Sequence, residues 1–350
     1  MVCSSGIENN MSNQQLVLVT GVTGFIGAHV AVSLLKKGYR VRGTVRSMEK
    51  ANELIRLNPE LKDKIEFVIV KDITEPYAFK DVVKDCDYIC HVASPFFISN
   101  VTDNKTQLLD PAVQGTLSAL EAAITEPKVK RVVITSSFAA VGDYTKDPSS
   151  GYVYSEKDWN PISYEEALKT ESGLLAYCAS KVFAEKAARE WVKEKQPHFD
   201  ICTINPSYVF GPTIHPMNSM ESLNTSNQIL WTIINGSKIQ PSTQGFETDV
   251  RDVADAHVLA LNHPKLSGGR MLIPQGPFFT NTMSKILLEK FPEKKDVISD
   301  PSDVPFDTKR FTIDNSFSKS VGMKYYSEEQ TYIDTATNLW ERAKQFQENN

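Results

Sequence analysis

A short apolar run, Leu16-Val17-Leu18-Val19, leads through Thr20 into Gly21-Val22-Thr23-Gly24-Phe25-Ile26-Gly27 and then into a helical stretch from about Phe25 to Lys37, stopped by Gly38. Four apolar residues bounded by a turn fit a strand buried on both faces, and such strands belong to parallel sheets covered by helices. In that setting each glycine has a task. The first permits a tight turn, the second lets backbone approach a pyrophosphate, and the third allows close packing of helix on strand. The helix N-terminus adds unsatisfied amides and partial positive charge. A glycine-rich run alone is weak, because loops collect glycine. Set between a strand and a helix, in a unit of about thirty residues, it predicts a dinucleotide site. A strand from about Arg40 to Val45 closes that unit, and its predicted cofactor contacts are Gly21, Thr23, Gly24, Phe25, Ile26 and Gly27.

The alternation continues. Strands are predicted near Ile65 to Val70, Asp87 to Val92, Arg131 to Thr135 and Asp200 to Asn205, and helices near Pro76 to Lys84, Leu108 to Thr125 and Leu174 to Glu194. Strand and helix in turn predict an α/β fold, a Rossmann-type doubly wound parallel sheet. After Pro206 the chain is richer in Pro, Asn and Ser, with loops at 212–227 and 236–247 and a terminal helix near Thr331 to Gln347. Residues 1–14 are polar and aperiodic and read as a disordered N-terminal extension. Residues 15–205 read as the dinucleotide-binding domain, and 206–350 mainly as a smaller C-terminal substrate-binding lobe interleaved with it.

Composition narrows the partners. Hydrophobic residues make up 41% and charged residues 23%, which excludes a disordered or fibrous chain. The 38 basic and 43 acidic residues are scattered, so no nucleic-acid footprint is expected and a small molecule is the default ligand. Apolar runs stop short of the ~20 residues a membrane span needs. The first basic residue is Lys36, which opposes a signal peptide, so the expected setting is cytoplasmic, with no membrane partner. Cys3, Cys86, Cys90, Cys178 and Cys202 show no C-x-x-C spacing and are expected to stay thiols. No H-E-x-x-H pair occurs, so no metal site is predicted.

The end of the second strand selects the nucleotide. An acidic residue there would bind the ribose 2′-hydroxyl of NAD. This chain has Val45-Arg46-Ser47, with Lys50 one turn further along the next helix. A guanidinium offers paired donors to a 2′-phosphate, so NADP(H) is expected. Asp72 and Ile73, at the end of the third strand, are placed to reach the adenine edge.

Tyr177-Cys178-Ala179-Ser180-Lys181 lies in a predicted helix, where a spacing of four puts phenol and ammonium on one face. A free phenol ionises near pH ~10. At an effective dielectric of about 20, a cation ~4 Å away stabilises phenolate by ~4 kcal/mol, so the pair is expected to lower that value. With 12 tyrosines the spacing alone arises about once by chance, so context must support it. That context is Ser136-Ser137 at the carboxyl end of the fifth strand, the edge where open α/β sheets bind ligands. Ser137 is preferred as the hydroxyl that orients a substrate carbonyl; the bland alternative is a serine capping its own backbone.

These segments do not stand alone. With them go Glu49-Lys50, His91-Val92-Ala93-Ser94-Pro95-Phe96, Glu156 to Pro161 around Trp159, Asn205 to Pro212, Asn224-Thr225-Ser226 and Asp249 to Ala254. Together they resemble the extended short-chain dehydrogenase/reductase family, in its dihydroflavonol-reductase-like branch, which includes yeast NADPH-dependent methylglyoxal and isovaleraldehyde reductases. The likeness spans about residues 15 to 345. It implies Ser137, Tyr177 and Lys181 as the catalytic group and Arg46 and Lys50 as the 2′-phosphate contacts. It implies that Val209 and Ser226 touch the nicotinamide end and the nucleotide, and that Phe96, Phe138 and Tyr208 face substrate. Aromatic residues beside strand ends can equally complete a core. Gly27 departs from a pattern that also allows alanine.

The implied activity is NADPH-dependent reduction of an aldehyde, an α-keto aldehyde or a ketone to an alcohol, with Tyr177 as proton donor, by a monomer or homodimer. A nucleotide-sugar epimerase or dehydratase shares the fold but normally holds NAD through an acidic residue, which Arg46 opposes. A non-catalytic NADP-sensing module is opposed by intact Ser137, Tyr177 and Lys181. His257 and Cys178 are read as structural.

Overall fold

The structure is a computed structural model that describes residues 14–94, 101–239, 245–302 and 311–348. Residues 1–13 of the expected extension therefore lie outside the described residues. In chain order the regular elements are β1 (Leu16–Val19), α1 (Phe25–Lys36), β2 (Arg40–Val45), α2 (Met48–Leu57), β3 (Ile65–Ile69), β4 (Tyr88–His91), α3 (Asp110–Ala123), β5 (Arg131–Thr135), β6 (Val153–Tyr154), α4 (Tyr164–Lys169) and α5 (Gly173–Lys195). They continue with β7 (Asp200–Asn205), β8 (Tyr208–Phe210), α6 (Thr225–Ile234), β9 (Glu247–Asp249), α7 (Val250–Ala260), β10 (Arg270–Leu272), α8 (Thr280–Lys290), β11 (Thr312–Ile313), α9 (Ser316–Ser320) and α10 (Glu328–Glu348).

Seven strands form one parallel sheet in the order β10-β7-β5-β4-β1-β2-β3. The order reverses beside β1: the chain builds outward through β2 and β3, then crosses to β4 on the other side. A crevice opens at such a switch point, at the carboxyl ends of the strands. The pleat explains the apolar run of β1. Val17 and Val19 face one layer, with Val30, Leu34 and Val253 of α1 and α7, while Leu16 and Leu18 face the other, with Leu120 of α3 and Ala188 and Trp191 of α5.

The stretch after residue 205 does two things. It gives the sheet its edge strand β10 and its covering helix α7, and it builds a separate core in which Leu230, Ile233, Met283, Leu287, Tyr332 and Leu339 join α6, α8 and α10. One expected helix does not form. Residues 76–84 make successive turns, with Tyr77 and Asp85 in the left-handed region at φ 63° and 64°, which an α-helix of L-residues cannot continue through. Phe79 and Val83 bury their side chains all the same. Among the described residues no helix is long and apolar enough to cross a membrane, and no cluster of three or more His, Cys, Asp or Glu side chains is placed to hold a metal.

Candidate active site

At the end of β1, Thr20 joins the two walls of the crevice. Its Oγ1 accepts from the amides of Val92 at 3.0 Å and Ala93 at 2.9 Å, which leaves its hydrogen for Nδ1 of His91 at 3.2 Å. His91 is thereby neutral with its proton on Nε2, and burial holds its pKa down at about 4. Gly21 adopts φ 67° and donates to Thr44 Oγ1 at 2.9 Å, while Gly24 N–H closes the turn on Gly21 O at 2.9 Å. A Cβ on Gly27 would stand 2.3 Å from Gly21 O, so the alanine that the family pattern tolerates would force this turn to shift. Gly24 caps α1 without a side chain, and the amides of the first turn have no intrahelical acceptor. Gly24 is exposed, and Gly21, Thr23, Phe25 and Ile26 are half-buried around it. Compact backbone at a helix N-terminus fits a pyrophosphate.

Arg46, just past β2, is exposed. Lys50 is already engaged, donating to Glu53 at 2.9 Å and to Asn218 Oδ1 at 2.8 Å, so it ties α2 to the loop after β8. Asp72 folds its carboxylate onto the amide and hydroxyl of Thr74, each at 2.8 Å. Ile73 packs beside Gly115 of α3, where an added Cβ would lie 2.8 Å from its Cδ1. Val209 and Ser226 are both buried. The bond from Asn224 Nδ2 to Val209 O at 3.1 Å braces β8 against the start of α6.

The two serines after β5 diverge. Ser136 Oγ donates to Glu185 Oε2 at 2.7 Å, inside the core. Ser137 caps the short turn Phe138–Ala140, its Oγ accepting from Ala139 N–H at 3.1 Å. That cap consumes a lone pair and leaves the O–H able to donate elsewhere, so capping and substrate binding are compatible in one residue. The Ser137 hydroxyl is also the hydrogen-bond partner of the Tyr177 phenol.

Helix α5, opened by Ser172 Oγ accepting from Leu175 N–H at 3.3 Å, carries Tyr177 and Lys181. Lys181 Nζ lies 5.8 Å from the centroid of the Tyr177 ring. Burial of Lys181, 8% exposed, brings its pKa down to about 8. Burial also pushes the Tyr177 phenol up, with the Ser137 bond only partly opposing it. This reverses the expectation that the cation lowers the phenol: the desolvation of phenolate outweighs any charge stabilisation that reaches the ring.

Tyr144 was not singled out from the sequence, because nothing local marks a loop tyrosine. Asp143 Oδ1 accepts from Thr145 N–H at 3.0 Å, and Tyr154 OH donates to Asp143 O at 3.0 Å, so the turn beside Tyr144 is held from both sides. Its phenol bonds the Cys178 thiol and lies within electrostatic reach of Tyr177 and Tyr208. Tyr144 also lines a narrow cleft with Phe138, Tyr154, Phe246, Pro277 and Phe311. Phe138 is both wall and core, 4.9 Å from Phe246 between ring centroids. Tyr208 packs on Phe278 at 5.0 Å, and Phe96 lies outside the described residues. Burial pushes the Cys178 thiol up to about 12, and His257 is held between Thr135 Oγ1 and Val253 O at 2.7 Å each.

A parallel sheet with a switch point and a glycine turn beside it form the frame of a dinucleotide-binding oxidoreductase, and Ser137, Tyr177 and Lys181 lie at the same edge. The chain belongs to the NAD dependent epimerase/dehydratase family, whose model matches residues 17–273, and so to the extended short-chain dehydrogenases/reductases. It is 65% identical over 332 residues to an uncharacterised oxidoreductase of Schizosaccharomyces pombe, covering 95% of this chain and 99% of that one. It is 36% identical over 341 residues to the NADPH-dependent methylglyoxal reductase of Saccharomyces cerevisiae, covering 92% and 97%. Among solved structures it is similar to the yeast methylglyoxal/isovaleraldehyde reductase complexed with NADPH, with a TM-score of 0.85 and 35% identity over 93% of this chain and 98% of that one.

Proposed function

We propose that the chain is an NADPH-dependent carbonyl reductase that converts an aldehyde, an α-keto aldehyde or a ketone to an alcohol. The observation that carries this reading is the meeting of Ser137, Tyr177 and Lys181 at the sheet edge that also bears the glycine cradle. The cofactor is NADPH, as in the yeast relatives, and Arg46 supplies the guanidinium that a 2′-phosphate needs. When bound, it supplies the hydride.

The chain's own residues do the rest. Ser137 holds the carbonyl oxygen through its O–H, which turns from the Tyr177 phenol to the substrate. Tyr177, kept neutral by burial, gives that oxygen its proton, and the charge of Lys181 stabilises the phenolate left behind. Phe138, Tyr144 and Tyr208 wall the substrate side. An epimerase reading is disfavoured by Arg46 where a carboxylate would hold NAD, and a sensor reading by the complete Ser-Tyr-Lys group. The test is NADPH oxidation over a panel of α-keto aldehydes, branched aldehydes and bulky ketones. Tyr177→Phe should abolish turnover and spare NADPH binding; undiminished turnover in that variant would overturn the mechanism.

A further inference from the structure

Next to the proposed catalytic group lies a buried cluster that the mechanism leaves unused. Glu185, one turn beyond Lys181 on α5, is 1% exposed. Its Oε2 accepts from Ser136 Oγ at 2.7 Å and from Asn205 Nδ2 at 3.0 Å. Its Oε1 accepts from Thr203 Oγ1 at 3.0 Å and pairs with Arg270 Nε at 2.7 Å and Arg189 Nη2 at 3.1 Å. Two guanidiniums offset one carboxylate, as a buried charge requires.

Asn205, fully buried at the end of β7, is shared between this cluster and the active site. Its Nδ2 donates both to Glu185 and to Ser137 O, the latter at 3.1 Å, while its Oδ1 has no partner. A side-chain amide has two orientations, and leaving a buried acceptor unpaired is unfavourable. The unpaired Oδ1 is tolerated because the opposite orientation would aim it at the Glu185 carboxylate. The peptide after Ser137 is then held on both sides, its carbonyl by Asn205 and its N–H, from Phe138, by Pro206 O at 2.7 Å.

We propose that Glu185 and Asn205 are positioning residues for the reaction: the carboxylate sets the orientation of the Asn205 amide, and the amide holds Ser137 so that its hydroxyl meets the substrate oxygen. The helix that carries Tyr177 and Lys181 thus also places the serine on the neighbouring strand. The proposal rests on the carbonyl-reductase reading of this site.

The test is a double-mutant cycle on the full chain. Asn205→Ala removes the brace and leaves the pairs between Glu185 and its two arginines intact. It should lower kcat by about tenfold or more, the scale of a small misplacement of a reacting group, with NADPH affinity by fluorescence titration unchanged. In a Ser137→Ala background the same substitution should have no further effect, because no hydroxyl remains to be placed. Glu185→Gln should behave alike, since a carboxamide presents a donor that lets the Asn205 amide turn over; if that variant does not fold, Asn205→Ala decides alone. An active chain in which Asn205→Ala has the same effect in both backgrounds, or none, overturns the proposal by itself. No carbonyl reduction by the unaltered chain removes the functional reading and the proposal together.

Discussion

Replacing Lys181 by Met should make the chain more stable while abolishing turnover. The side chain is 8% exposed, and burial brings its pKa from 10.5 to about 8. At ~1.4 kcal/mol per pH unit, carrying this charge in the folded state costs about 3 kcal/mol at neutral pH. Methionine keeps the length of the stem and needs no solvation. With an unfolding entropy of about 2 cal/mol/K per residue, the gain corresponds to a rise in Tm of about 4 °C for a chain of this size. The pH dependence isolates the cause. Unfolded lysine keeps its proton up to its ordinary pKa and folded Lys181 releases it near 8, so between these values the unfolded state binds more protons. The native chain therefore gains stability as pH rises from about 8 to about 10.5, and the variant lacks that gain. Thermal and urea unfolding of both proteins from about pH 7 to about pH 10 measures the gap, which should be widest at neutral pH and close toward the alkaline end. A variant less stable than the native chain at neutral pH, or a gap independent of pH, would refute the reasoning.

Three further outcomes are expected. Arg46→Ala should raise the KM for NADPH far more than that for NADH in steady-state kinetics, whereas equal effects on both would remove the 2′-phosphate assignment. Glu247, pushed up to about 8 by burial and by neighbouring Glu328, binds a proton in the folded state that it has lost in the unfolded one, so its contribution to stability fades as pH rises toward 8. Glu247→Gln should flatten that slope in unfolding curves, and an unchanged slope would place the effect elsewhere. In kcat/KM for carbonyl reduction an alkaline limb should begin near pH 8, where free-enzyme Lys181 loses its charge, and a profile flat to about pH 10 would contradict that assignment.

Much of the fold was legible because buried strands and glycine turns are local signals. Leu16–Val19, the turn at Gly21 and the strand end at Ser137 all stand where their residue types place them. The helix expected over 76–84 failed because the left-handed backbone at Tyr77 and Asp85 leaves no pattern of apolar spacing behind it. Site chemistry was less legible where it depends on burial. The spacing of Tyr177 and Lys181 carries their proximity but not how dry their surroundings are, so the direction of the Tyr177 shift could not be read from it. Tyr144, Glu185 and Asn205 reach the site through contacts distant in sequence, and of these the brace from Asn205 to Ser137 spans 68 positions.

In the proposed reaction the two shifted groups determine which protonation states await substrate. Reduction of a carbonyl begins with a neutral phenol, and burial holds Tyr177 in that form well past neutral pH. Oxidation of an alcohol would begin with phenolate, the form that the same burial disfavours. Lys181 must stay charged to stabilise the phenolate once the proton has gone, and with a pKa of about 8 it does so at neutral pH with little margin. Under the proposed mechanism the acid is therefore in place before substrate arrives, while forming the phenolate has to overcome the desolvation of Tyr177. In the proposed reaction, burial thus supplies the protonated acid from which carbonyl reduction starts, and the same burial destabilises Lys181 in the folded chain.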